Sequence, residues 1–431
     1  MPITRPIGTI LGATLLLTTA LPATSANIGS VSWTTEHLDS AALRSTLHAV
    51  HEAGIYGSYS SVRDGADRWS GASGVADVDT GRPVTPGMRH RVGSVSKTLT
   101  AVAVLQQVEH GSIRLDAPIG EYLPGLVPGE RGREVTVRML LNHTSGIGDY
   151  VLSAFPSLAR NSATSLDEER FRYIEPEELV RLGLAASATG RPGEQPGTYS
   201  NTNYVIAGLL VEKVTGQDIG TYITRNISER AGMRHTVYPR TPYIEGPHSR
   251  MYESFYGLIN PPRDYSVYDM SYAAMAGAII STTDDLNRLY RALLNGELIG
   301  PATLDEMLRT VTIDMGLVRR EYGLGIFPVD LPGCGRFWGH DGAVFGAGTI
   351  VLSSRDGQRQ VAMGWNLMKH ERLDEDDAGL EPSPIDNAID THIIGALCSD
   401  PESQMSAADA SRLLPEGLSG LGLSFSAGVH R

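Results

Sequence analysis

The spacing of apolar positions changes character along the chain. LDSAALRSTLHAVHEAGI (38–55) repeats at helical intervals and stops near Gly54. GSYSSVRDGADRWSGASGVAD (57–77) reads as a hairpin turning at Asp64-Gly65. RVGSVSKTLTAVAVLQQVEHG (91–111) returns to helical spacing: Val95, Leu99, Val102, Leu105 and Val108 form the apolar stripe and Gly111 the stop. From about 115 to 317 helical patterns dominate between Gly and Pro breaks. EPEELVRLGLAA (175–186), NYVIAGLLVEKVTG (203–216) and TDDLNRLYRALLNG (283–296) are the clearest, the last with Thr283 as N-cap before two acids. Strands return after about 320, where FWGHDGAVFGAG leads into TIVLSS (349–354) and QRQVAMGWN (358–366) comes back across Asp356-Gly357. Ser383, Pro384 and Asp386 start a last helix running to Cys398.

Strands and helices at both ends therefore bracket a mostly helical middle. The pattern predicts an α/β (α+β) fold, an antiparallel sheet covered by N- and C-terminal helices. Residues 33–115 and 318–400 would build the sheet domain, and 116–317 an inserted helical domain with a cleft between the two. The segment 1–26 has a charged start at Arg5, a short apolar core interrupted by Thr and Pro, and the small residues ATSA. It reads as a secretory signal, which predicts a secreted protein without a stable membrane anchor. The tail 401–431 is rich in Ser, Gly and Ala and is expected to be mobile or removed.

Composition changes little. A hydrophobic share of 41% allows a full core, and a net charge of −13 gives no basic footprint for nucleic acid. In an exported chain, two cysteines, Cys334 and Cys398, favour one disulfide over two free buried thiols. The run Asp374-Glu375-Asp376-Asp377 lacks the spacing of a calcium loop and reads as a solvated loop.

The chemistry centres on Ser94 and Lys97. At i and i+3 on a helix they share a face, roughly 5–6 Å apart at Cβ. Backbone N–H groups at the helix start favour a developing negative charge. A lysine against an apolar wall loses solvation, so its pKa falls and it can accept a proton. Together these describe an activated serine nucleophile. Two further motifs accompany the pair. Tyr199-Ser200-Asn201 lies on a Pro-Gly loop before a helix. His340-Asp341-Gly342 is expected at the start of a strand, with Gly342 letting a substrate backbone approach.

S-x-x-K early, Y-x-N in the helical middle and H-x-G on a late strand resemble the penicillin-recognising serine hydrolases, a β-lactamase/transpeptidase-like superfamily. LLNHTSGIGDY (140–150), AGAIISTTDDLNRL and YGLGI extend the resemblance over roughly residues 35 to 400. It is nearest the actinomycete D-alanyl-D-alanine carboxypeptidases, which also carry a cysteine shortly before H-x-G and another near the last helix. The resemblance implies an acyl-enzyme on Ser94, with Lys97 and Tyr199 as proton carriers and Ser94 and Ala343 N–H groups as oxyanion hole. Asn201 would hold the substrate amide, and His340 would anchor substrate or polarise Tyr199. Asp341, Gly342 and, less directly, Tyr272 would line the cleft. It implies a monomer acting on small peptides or D-amino-acid amides and esters, with β-lactams as acylating inhibitors. No metal or organic cofactor is implied. A non-catalytic penicillin-binding sensor is the reading from another class.

Two positions depart from that branch. Asp341 replaces its usual threonine, and Ile326, Phe327 and Pro328 follow YGLG where it carries arginine. A carboxylate about 4 Å from a substrate carboxylate repels it by roughly 4 kcal/mol at an effective dielectric near 20. Asp341 is thus expected to disfavour peptides ending in a free carboxylate, which points to an aminopeptidase, amidase or esterase as the alternative activity. Arg336, four residues before His340, is the candidate to compensate.

Overall fold

Neighbouring residues on the central strands enter different cores. Ile350, Leu352, Val361 and Met363 pack in one cluster, while Val351 and Ala362 pack in another. A sheet covered on both faces needs apolar side chains on both, which explains why TIVL and VAM read as unbroken apolar runs.

The computed structural model describes residues 38–398 except 161, 316–318, 373–380 and 382. The expected signal (1–26), the tail (401–431) and the acidic run 374–377 lie outside the described residues. The strands that matter here are β1 (Gly57–Asp64), β2 (Asp67–Asp77), β3 (Arg82–Pro83), β4 (Gly197–Thr198), β5 (Val311–Asp314), β6 (Arg319–Tyr322), β7 (Phe327–Leu331), β8 (Gly335–Val344), β9 (Ala347–Ser354) and β10 (Arg359–Trp365). Seven of them form one antiparallel sheet in the order β7-β8-β9-β10-β1-β2-β3. The others form a small sheet in the order β6-β5-β4.

Helix α1 (Ser40–Glu52) begins where the Asp39 side chain accepts from the Ala41 and Ala42 N–H groups, and it buries Leu43, Leu47 and Val50. The last long helix, α6 (Pro384–Leu397), is capped by Ser383 and buries Ile385, Ile389 and Ile393 in the same cluster. Between them in the chain come α2 (Ser96–Glu109), α3 (Pro176–Ala185), α4 (Asn201–Thr215) and α5 (Thr283–Leu294). Helix α2 is buried along nearly its whole length, Lys97 included. Leu286 and Leu289 of α5 belong to the other core cluster. Its cap is Thr282 rather than Thr283: the Thr282 hydroxyl accepts from the Asp285 N–H, which leaves Thr283 as the first helical residue. Among the described residues no helix is long and apolar enough to cross a membrane.

Cys334 and Cys398 form a disulfide that ties the turn between β7 and β8 to the end of α6. The H-x-G motif sits in the second half of β8, not at its start, because the strand continues back to Gly335.

Candidate active site

Gly93 sets the position of Ser94. It has φ +52°, and a Cβ there would lie 2.7 Å from the Ala343 nitrogen. Only glycine combines that backbone with so close an approach. The chain therefore makes a tight turn over Gly93–Val95 before α2 begins at Ser96, with Ser94 in the turn beside the end of β8. Gly342 acts from the other side. A Cβ on it would stand 2.0 Å from the Val92 carbonyl oxygen and 2.9 Å from the Ser94 nitrogen. The room that Gly342 leaves is thus taken by the nucleophile turn, where the sequence reading expected a substrate backbone. The same approach brings the Ser94 and Ala343 amides together.

Lys97 is fully buried. Its Nζ lies 3.0 Å from Ser94 Oγ, 2.7 Å from Asn201 Oδ1 and 3.0 Å from the Ala276 carbonyl oxygen. Burial lowers its pKa from 10.5 to about 7, against the pull of the Asp149 and Asp341 carboxylates. Two of the three partners can only accept. A neutral amine gives them its two N–H bonds and turns its lone pair to the Ser94 hydroxyl.

The Tyr199 phenol faces Ser94, whose hydroxyl offsets part of the burial effect on it, and its ring lies 4.8 Å from Lys97 Nζ. Burial pushes its phenol far above the ordinary value, so it stays protonated. The strand pairing that delivers it is short: β4 runs parallel to β5, and the Tyr199 N–H donates to the Asp314 carbonyl. The His143 ring stacks on the Tyr199 ring at 4.2 Å. Its Nδ1 faces the Ser200 N–H at 3.2 Å, so Nδ1 accepts and the ring is held as the Nε2–H tautomer.

Asn201 is oriented by Asp149. Asp149 Oδ2 accepts from the Asn201 N–H at 2.6 Å and from Asn201 Nδ2 at 2.8 Å, while Oδ1 accepts from the Val151 N–H at 2.8 Å. These bonds fix which end of the amide faces Lys97. Gly148 contributes its carbonyl to the hydroxyls of Ser200 and Thr202. The segment LLNHTSGIGDY is therefore the cradle of the Y-x-N loop.

His340 is fully buried, and burial lowers its pKa. Its Nε2 meets the Tyr322 hydroxyl at 2.8 Å and its Nδ1 the Asp341 carbonyl at 2.5 Å. Tyr322, from β6, stands edge-on to Tyr199 with ring centroids 6.2 Å apart. Anchoring substrate directly or polarising Tyr199 by contact does not match these partners; among the described residues His340 reaches Tyr199 through Tyr322.

Asp341 is turned inward, with 4% of its surface exposed. Arg320 Nη1 stands 3.8 Å from its Oδ2. Arg336 does not serve as that partner; it is more exposed and binds Asp330 and Glu321. The four-residue strand β6 explains the substitution, since Arg320 and Tyr322 both face inward while Arg319 and Glu321 are exposed. Tyr272 lies in a buried aromatic group with Phe155, Tyr268 and Phe345. Asp149, Arg320, Tyr322 and His143 are site residues that motif spacing did not reveal. Alternation along RREY and the quoted LLNHTSGIGDY were the available signals.

The chain matches the family model Beta-lactamase over residues 44–381. It is 32% identical to Esterase EstB of Burkholderia gladioli over 206 residues, 46% of this chain and 52% of EstB. It is 31% identical to Penicillin-binding protein 4 of Amycolatopsis lactamdurans over 232 residues, 52% of this chain and 55% of that protein. The match thus spans about half the length of these curated relatives. A D-stereospecific amidohydrolase from Streptomyces sp. superposes with a TM-score of 0.71 at 34% identity, covering 84% of this chain and 99% of the other. The D-amino acid amidase from Ochrobactrum anthropi SV3 shares the fold, with a TM-score of 0.69 at 22% identity, covering 83% of this chain and 97% of the other.

Proposed function

The chain belongs to the Beta-lactamase family and is a serine hydrolase of that family, and we propose that it cleaves amide and peptide bonds on the carbonyl side of D-configured residues through an acyl-enzyme on Ser94. The observation that carries the mechanism is the coordination of Lys97. Asn201 Oδ1 and the Ala276 carbonyl hold two N–H bonds, and the remaining direction points at Ser94 Oγ.

Neutral Lys97 takes the Ser94 proton as the Oγ–carbonyl bond forms. The developing oxyanion is held by the Ser94 and Ala343 N–H groups, worth a few kcal/mol of barrier per donor. The carbon–nitrogen bond then breaks, and the proton reaches the leaving amine through the Tyr199 phenol. Water attacks the ester, gives its proton back along the same route, and releases the D-acid and free Ser94. His340 and Tyr322 position Tyr199, and Asp149 positions Asn201, which receives the substrate amide.

The D-stereospecific amidohydrolase at 34% identity supports the D-configured acyl group. The proposed leaving group departs past the inward Asp341, which precedes Gly342 and Ala343 on β8 beside the nucleophile turn. The charged start and apolar core of residues 1–26 support export to the outside of the cell.

The test is hydrolysis of D- and L-alaninamide and of an N-acylated D-Ala-D-Ala peptide, followed by chiral chromatography. Release of D-alanine from D-alaninamide, with L-alaninamide at least a hundredfold slower, is the expected result. Turnover of L-substrates at equal rate contradicts the reading.

A further inference from the structure

We infer that Arg320 is a buried counter-ion to Asp341, and that it sets the charge selectivity of the leaving-group side of the site. This rests on the hydrolase reading above and names which leaving groups that site accepts.

Arg320 is 8% exposed, and among the described residues none of its three guanidinium nitrogens has a hydrogen-bond acceptor. Asp341 Oδ2, 3.8 Å from Nη1, likewise lacks a donor. The guanidinium lies 4.0 Å over the Phe327 ring, which fixes its plane. Phe327 is part of the stretch that interrupts the expected arginine, so this flank keeps a cation but takes it from β6. A buried guanidinium without hydrogen bonds is costly, and so is a buried carboxylate; each is tolerable because the other is there.

The other titratable groups around Asp341 are His340 on its own strand, Lys97, Tyr199, Tyr290 and Tyr322. Burial keeps His340 neutral and the three tyrosines protonated. Lys97 is committed to Ser94, Asn201 and Ala276. Arg320 is therefore the cation that answers Asp341. The pair sums to zero, and the repulsion expected of a lone Asp341 toward a leaving group with a free carboxylate is largely cancelled.

The experiment compares kcat/KM for N-acyl-D-Ala-D-Ala with its C-terminal carboxamide, so that the ratio within each variant removes differences in overall activity. In the unmodified protein the two substrates fall within about tenfold. Arg320→Met moves the ratio at least tenfold against the free acid, Arg320→Lys leaves it near its original value, and Arg320→Met combined with Asp341→Asn restores it. A ratio unmoved in Arg320→Met, or a double variant no closer to the original than the single one, overturns the assignment. A substrate-free check is the same double-mutant cycle in urea unfolding, where Asp341→Asn is less destabilising in the Arg320→Met background than alone; additive effects overturn it as well. If the unmodified protein hydrolyses no D-configured amide, peptide or ester, the hydrolase reading fails, and the unfolding cycle still decides the counter-ion.

Discussion

Lys97 Nζ stands 3.0 Å from Ser94 Oγ and 2.7 Å from Asn201 Oδ1, so a single amine joins α2 to the start of α4. This contact makes the pH profile informative. The amine titrates at about 7 in the fold, well below 10.5. It is charged, and so unable to act as base, at pH below that value. The prediction is that acylation, read as kcat/KM on D-alaninamide, rises with pH through about 7 and then levels. Lys97→Arg, which stays protonated, loses at least a thousandfold.

Asp149 carries the second prediction. Its carboxylate both aims Asn201 and raises the Lys97 pKa. Asp149→Asn should lower kcat/KM by about ten- to a hundredfold and move the rising limb of the pH profile to lower pH. A merely destabilised fold would reduce activity without shifting that limb.

Acid stability follows from two buried histidines. Burial lowers both His90 and His392 to about 4 from 6.5. The native state keeps them neutral while the unfolded chain binds protons below 6.5, so stability falls as pH drops from about 6.5 to 4. His392 connects Ser60 Oγ and Thr46 Oγ1. His392→Gln should weaken the protein at pH 7 yet show a smaller loss between pH 7 and 4.5, measured by urea midpoints at both values.

The Cys334–Cys398 disulfide closes a loop with a sequence separation of 64. In the chain-entropy model this constraint is worth roughly 4 kcal/mol. Replacing both cysteines with serine should lower thermal stability markedly, as scanning calorimetry would show, while acylation of Ser94 in the folded fraction continues.

How legible the site was depends on the range of the interactions. Ser94 and Lys97 lie three apart in the chain, one in the turn that opens α2 and the other in its first turn, a local relation that spacing conveys. The strands TIVLSS and QRQVAMGWN carried long apolar runs and a plain turn, so the main sheet was readable. The four-residue β5 and β6 carry too little periodicity to stand out, and their partner β4 lies more than a hundred residues earlier. Arg320 and Tyr322 were hidden with them, and Arg336 was preferred because it shares a strand with His340. Gly342 was assigned to the substrate because the sequence did not reveal that Val92 and Ser94 would press against it. Thr282 and Thr283 are both good caps, and only the backbone decided between them.

The central claim is that Ser94 becomes covalently acylated. Incubating the protein with a penicillin for seconds, quenching in acid and sequencing the labelled peptide by mass spectrometry measures this directly. An adduct on Ser94, absent from Ser94→Ala and much slower to form in Lys97→Arg, is the predicted result. An adduct on another residue, or labelling that persists in Ser94→Ala, would contradict it.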